Sequence, residues 1–178
     1  MVTGVLIPVE EYMASGYSPD VDYDEGRLIE RNAGKAKHAR LQYLIALYMG
    51  TRESEWGITG FVEQRIRVAR NKFCVADVCA IRNDHPYEEI LEDPPLFTIE
   101  ILSEGDSFSE VEKKARKYLD LGVGYVWTID PETGRCFRHM PEALLVVPDG
   151  VLRIEDSPIA IPIPELISEV RTEPRPKP

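Results

Sequence analysis

Two apolar runs, each interrupted near its middle by a single acid, constrain this chain more than any other feature. Residues 73–81 read Phe-Cys-Val-Ala-Asp-Val-Cys-Ala-Ile, and residues 96–102 read Leu-Phe-Thr-Ile-Glu-Ile-Leu. Each has apolar residues on both alternating sets, the pattern of a strand covered on its two faces. Asp77 and Glu100 are therefore expected to point into the protein rather than into bulk water. A buried, unpaired carboxylate is costly, so each needs a cation, a hydrogen-bond cage or a raised pKa. The segment from Phe108 to Leu121 reads as a helix and sets Glu110, Lys114 and Tyr118 on one stripe at successive spacings of four. Two acids and a lysine can thus converge.

Around this centre the remaining elements fall into place. Pro8 opens a short helix over Val9 to Met13, with Gly16 after it, and Glu25-Gly26 makes a turn between two short extended pieces. Asn32-Ala33-Gly34 reads as a loop. Apolar residues recur at helical spacing from Lys35 to Glu55, with Gly57 as the stop and His38 in the first turn. Phe61 to Val68 is a strand that turns at Arg70-Asn71 into the run containing Asp77, its antiparallel partner. The polar stretch from Arg82 to Pro95 reads as a loop with one helical turn at Tyr87 to Leu91. The Glu100 strand, the Lys114 helix stopped by Gly122 and Gly124, and a strand at Val126 to Ile129 form a crossover of the kind that joins parallel neighbours. Short strands follow to Ile163, and a last helix runs from Pro164 to Val170. The predicted architecture is α/β (α+β): an αβββαβ core on a mixed central sheet, flanked by extra short strands and helices. One domain is expected over residues 1–171, with a disordered, proline-rich tail at 172–178.

Charge and cysteine usage narrow the partners. The chain carries 31 acids against 21 Lys plus Arg, a net charge of −10, which argues against a large non-specific nucleic-acid footprint. The distribution is uneven, because no acid occurs from Arg31 to Arg52, where Lys35, Lys37 and Arg40 cluster, and a second basic run holds Arg65, Arg67, Arg70 and Lys72. Either run could face a phosphate backbone or simply be a solvated face. The three cysteines are odd in number and lack zinc spacing; Cys74 and Cys79, of opposite parity in one strand, read as reduced structural thiols. Neither a membrane span nor a secretory signal is indicated, so a cytoplasmic protein without membrane contact is expected.

A hard divalent cation between Asp77 and Glu100 would explain acids in two strand centres, with the main-chain carbonyl of Ile101 completing the protein's share. Lys114 would then orient or deprotonate the attacking water, and a phosphodiester would suit the site. The alternative is structural: Asp77 capping a backbone irregularity and Glu100 paired with Lys114.

The order of elements, together with Val75-Ala76-Asp77-Val78, Ile99-Glu100-Ile101-Leu102-Ser103, Lys114 with Tyr118, and Tyr125-Val126-Trp127-Thr128-Ile129-Asp130-Pro131, resembles the putative restriction endonuclease family of the PD-(D/E)XK nuclease superfamily. The likeness extends over most of residues 5–165. It implies a restriction-endonuclease-like fold, Asp77 and Glu100 as metal carboxylates, and Lys114 in the role of a lysine that the superfamily usually places at the position of Leu102. It further implies that Asp22 and His38, standing where the family has a glutamate and a histidine, border the site. Ala76 stands where proline is usual, and Glu104-Gly105-Asp106 replaces the usual Pro-Ser-Thr.

The expected function is Mg2+-dependent (or Mn2+-dependent) endonucleolytic hydrolysis of DNA, by a homodimer that could address two strands and join its basic patches. Two other readings compete: a nuclease-fold binding or assembly module that has lost cleavage, and a metal-dependent hydrolase of a smaller phosphate ester.

Overall fold

The computed structural model describes residues 6–31 and 35–170. In chain order it contains α1 (Val9–Ala14), β1 (Asp22–Asp24), β2 (Arg27–Ile29), α2 (Ala36–Gly50), α3 (Glu53–Trp56), β3 (Ile58–Ala69), β4 (Lys72–Arg82), β5 (Phe97–Ile101), α4 (Phe108–Leu121), β6 (Tyr125–Ile129), β7 (Cys136–Met140), β8 (Ala143–Val147), β9 (Val151–Arg153), β10 (Ala160–Pro162) and α5 (Ile163–Ser168). The loop expected at residues 32–34 and the tail expected at 172–178 lie outside the described residues.

Eight strands form one sheet in the order β2-β1-β4-β5-β6-β7-β8, with β3 pairing β4, while β9 and β10 form a separate ribbon. The β5–β6 pair is parallel and joined through α4; the other pairs of the large sheet are antiparallel, so the sheet is mixed as its crossover requires. On one side α2 contributes Leu41, Leu44, Ile45 and Met49 to a core shared with Val78, Ile99 and Trp127. On the other side Ala115 and Tyr118 of α4 join Cys74, Ala76, Cys79 and Val126. Helix α4 is sharply delimited. Ser107 and Glu110 close a reciprocal capping box at its start, and Gly122, at φ 105°, supplies the left-handed cap at its end.

Two expectations need correction. The helical turn at Tyr87 to Leu91 does not form. Leu91 is buried and exchanges backbone hydrogen bonds with β3, its amide donating to the Arg65 carbonyl and its carbonyl accepting from the Arg67 amide, which holds the segment extended. The long helix of residues 35–55 breaks after Gly50 into α2 and the short α3, and its Tyr43 and Leu47 face solvent.

Strand β4 changes face in its middle. In a regular strand the even-numbered residues would share one side, yet Cys74 and Ala76 lie in the α4 layer whereas Val78 and Ala80 lie in the α2 layer. The same reversal occurs in β3, with Ile66 and Val68 in the α4 layer and Ile58 in the α2 layer. Both switches meet at one rung. Val62 pairs Val78 and Gln64 pairs Ala76, so Glu63 and Asp77 stand between them, and Glu63 has φ 51°. Cys74 and Cys79 consequently share a layer despite their opposite parity; all three cysteines are buried and free.

A candidate metal-dependent hydrolytic site

The site occupies a fork in the sheet. Along one edge β4 pairs β3; along the other it pairs β1 at Lys72 and Phe73, then β5 at Val78 to Ala80. Between those rungs β4 has no strand partner on this edge among the described residues, and side chains take up its backbone groups. The Val75 amide donates to Asp22 Oδ1 at 2.8 Å, and the Val75 carbonyl accepts from Lys114 Nζ at 2.8 Å. On the facing strand, the Ile101 amide donates to Asp77 Oδ2 at 2.8 Å. A splayed pair of strands thus exposes polar backbone that would be costly to bury unsatisfied. Asp22, Asp77 and Lys114 satisfy it.

Glu100 lies one position beyond the last β4–β5 rung, as Asp77 does on the other strand. Its Oε2 accepts from Lys114 Nζ at 2.9 Å and its Oε1 from the Tyr118 hydroxyl at 2.8 Å. Lysine and tyrosine are one helical turn apart on α4, so the predicted stripe does deliver both to one carboxylate. Glu110, the third member of that stripe, is exposed and spent on the capping box. Asp77 also meets His38 Nε2 at 3.2 Å and the Arg31 guanidinium, which bridges to Glu63. Gln42 ties the same corner together, donating to the Asp77 carbonyl at 2.9 Å and to Glu63 Oε1 at 2.7 Å.

The structure sets the predicted site residues around the fork in two hydrogen-bonded groups, Asp77 with His38 and Glu100 with Lys114, while Asp22 and Lys114 both hold the backbone of Val75. Ile101 enters through its N–H. Arg31, Gln42 and Glu63 were not anticipated. The acid-free stretch beginning at Arg31 was the available signal for the first; the face reversal that aims Glu63 at Asp77 has no signature in residue type.

Burial and neighbouring charge set the ionisation pattern. Burial opposes the Asp77 carboxylate, but the His38 hydrogen bond and the Lys114 and Arg31 charges outweigh it and hold its pKa below the ordinary range. Glu100 goes the other way. Burial pushes it up to about 7, against the pull of Lys114, and the Asp77 charge adds to the rise. Burial opposes the charged form of His38, but its hydrogen bond to Asp77 and the charges of Asp77 and Glu63 together outweigh it and raise its pKa. Lys114 is also raised despite its burial, since Asp22, Glu100 and Asp77 surround it with negative charge. It remains an ammonium, suited to donating hydrogen bonds rather than accepting a proton.

The donor set fits a hard cation. Among the described residues no group of three or more His, Cys, Asp and Glu side chains converges as a metal cage. A hard divalent ion of the Mg2+ type needs only one or two carboxylates and keeps several waters. The Asp77 and Glu100 oxygens retain lone pairs beyond the donors they already accept. These two side chains would hold such an ion, and Ile101 meets Asp77 there through its N–H.

The basic runs found in the sequence are largely paired within the molecule. Arg65 makes a two-pronged contact with Asp20, Arg67 pairs Glu92, and Lys72 pairs Asp24. Near the site, Lys35 reaches Glu104, Lys37 reaches Glu132 at 2.5 Å, and Arg40 stacks on the Tyr43 ring at 5.0 Å.

A mixed sheet, a crossover helix bearing a lysine, and two interior carboxylates at the sheet's fork define a restriction-endonuclease-like fold. The family model Uma2, putative restriction endonuclease, matches residues 9–170, and the chain belongs to that family. Among solved structures, a putative nuclease from Anabaena variabilis superimposes with a TM-score of 0.76 at 23% identity, over 91% of this chain and 98% of that one. No curated protein matches the chain. Among the described residues no helix is long and apolar enough to cross a membrane.

Proposed function

We propose that this chain is a Mg2+-dependent endonuclease that hydrolyses DNA phosphodiester bonds, with Mn2+ able to substitute. The observation that carries the reading is the convergence of Asp77, Glu100 and Lys114 in the fork between β4 and β5, in a chain of a nuclease family. A bound divalent ion would polarise a phosphoryl oxygen and stabilise the charge that builds up during in-line displacement by water. The protein's share is positioning. Lys114, fixed by Glu100 and the Val75 carbonyl, orients the attacking water and stabilises developing negative charge. Asp22 holds the edge of β4 in place, and His38 fixes the carboxylate plane of Asp77. Tyr118 orients Glu100. A homodimer would place two such sites on the two strands of a duplex and combine two copies of the basic start of α2, offsetting the acidic net charge.

One observation favours the reading in which cleavage has been lost: Arg31 already neutralises Asp77. The two are separated by incubating the protein with supercoiled, linear duplex and single-stranded DNA and with nucleotides, with and without Mg2+ or Mn2+. The proposal expects metal-dependent cutting of DNA that Asp77→Ala and Lys114→Ala abolish. Absence of cutting on every DNA form sinks it, and cutting of nucleotides alone favours a small phosphate ester as substrate.

A further inference from the structure

Three buried carboxylates, Asp22, Asp77 and Glu100, face two full positive charges, Arg31 and Lys114, and the imidazole of His38. Arg31 is shared with a further carboxylate, Glu63, so a doubly charged ion would not overcharge the set, but on Asp77 it would stand against the guanidinium bound to the same carboxylate and place like charges in contact. One resident cation must therefore yield. Lys114 is poorly placed to do so, being anchored at 2.8 Å to a backbone carbonyl and at 2.9 Å to Glu100.

Arg31 is differently held. Its guanidinium spans the buried Asp77 and Glu63, and Glu63, with its side chain 45% exposed, marks the mouth of the site. Glu63 is presented there at a cost, because φ 51° is an uncommon conformation for a residue with a side chain. Gln42 fixes its carboxylate from the other side at 2.7 Å. An arginine released from Asp77 would keep Glu63 as its acceptor, so it needs only to rotate outward. Its planar fork of donors then meets whatever anion lies at the mouth, and the geometry matches a phosphate oxygen pair.

We infer that Arg31 is an exchangeable counter-cation: it occupies the Asp77 carboxylate until a divalent ion displaces it, and the freed guanidinium grips the phosphodiester. The inference rests on the metal-dependent reading of the same site. It couples the two ligands, since metal entry creates the phosphate contact and phosphate binding stabilises the displaced arginine.

The test is calorimetric titration of Mn2+, with no nucleic acid present, into the wild-type chain, Arg31→Gln and Arg31→Lys. A second arm measures binding of a short duplex in Ca2+ by fluorescence anisotropy. Arg31→Gln is expected to bind Mn2+ about tenfold or more tightly than wild type, by removal of a competing unit charge, and the duplex more weakly. Arg31→Lys keeps the charge without the fork, so it remains close to wild type for Mn2+ and loses affinity for the duplex. Equal or weaker Mn2+ binding by Arg31→Gln would overturn the inference and leave the metal site standing. Failure of all three proteins to bind Mn2+ would remove the metal site and the inference together.

Discussion

Lys114→Met tests the coupling at the heart of the site without reference to catalysis. Lys114 Nζ lies 2.9 Å from Glu100 Oε2 and 2.8 Å from the Val75 carbonyl, with its side chain 16% exposed. Removing one member of a buried ion pair costs about 3–5 kcal/mol when the other is left charged. Glu100 can avoid part of that cost by taking up a proton. In the wild type its folded-state pKa is raised from 4.5 to about 7, so its ionisation destabilises the fold. Stability associated with this group is full below pH 4.5 and is lost as the pH rises toward 7. Without Lys114 the carboxyl rises further, and the loss continues above 7. The stability gap between wild type and variant should therefore be nearly constant from pH 5 to 6.5. It should then widen by about 1.4 kcal/mol per pH unit, reaching roughly 2 kcal/mol of extra destabilisation by pH 8.5. Urea unfolding in the presence of a chelator, followed by the fluorescence of the buried Trp56 and Trp127, measures the gap. Lys114→Met/Glu100→Gln should show no such widening. A gap for Lys114→Met that is flat across pH would refute the shared burial of the two groups.

Two further perturbations test the scaffold. Gly150 has φ +65°, and a Cβ there would stand 2.8 Å from Pro164 Cγ and 3.0 Å from its Cδ. Gly150→Ala should cost about 2 to 4 kcal/mol through backbone conformation and overpacking, and a urea midpoint unchanged from wild type would show that Gly150 does not lie against Pro164 at the start of α5. His139 is buried, with Nε2 2.8 Å from Thr128 Oγ1, and burial holds its pKa below the ordinary 6.5. The unfolded chain therefore takes up the proton first as the pH falls. Wild-type stability should drop between pH 7 and 5 relative to His139→Gln, and a pH-independent difference in unfolding free energy would contradict the assignment.

Much of the site was legible because its pieces are local. The apolar runs around Asp77 and Glu100 identify β4 and β5, and Gly122 marks the end of α4. Spacing by four puts Glu110, Lys114 and Tyr118 on one stripe of that helix, and the structure brings Lys114 and Tyr118, but not Glu110, to Glu100. The positions of Asp22 and His38 came from family likeness, and the structure gives the physical reason: one binds the exposed edge of β4, the other the Asp77 carboxylate. What could not be read from alternation is the reversal of face at the Glu63–Asp77 rung. A period of two assigns Ala76 and Val78 to one side, but they lie in opposite layers, at the rung where Glu63 on the paired strand has a left-handed backbone. Arg31 and Gln42 meet Glu63 and Asp77 at that rung. The helix expected at Tyr87 to Leu91 failed for a similar reason, since the isolated bridge of Leu91 to Ile66 is a tertiary contact that overrides local helical spacing.

The most direct measurement is Mn2+ titration followed by paramagnetic broadening of backbone amide signals. If Asp77 and Glu100 share one cation, the first signals to vanish should be those of Val75 to Val78 and Glu100 to Leu102, and Asp77→Asn should restore them. Broadening centred elsewhere, such as on the acids of residues 84–93, or signals in the fork that persist at saturating Mn2+, would contradict the account.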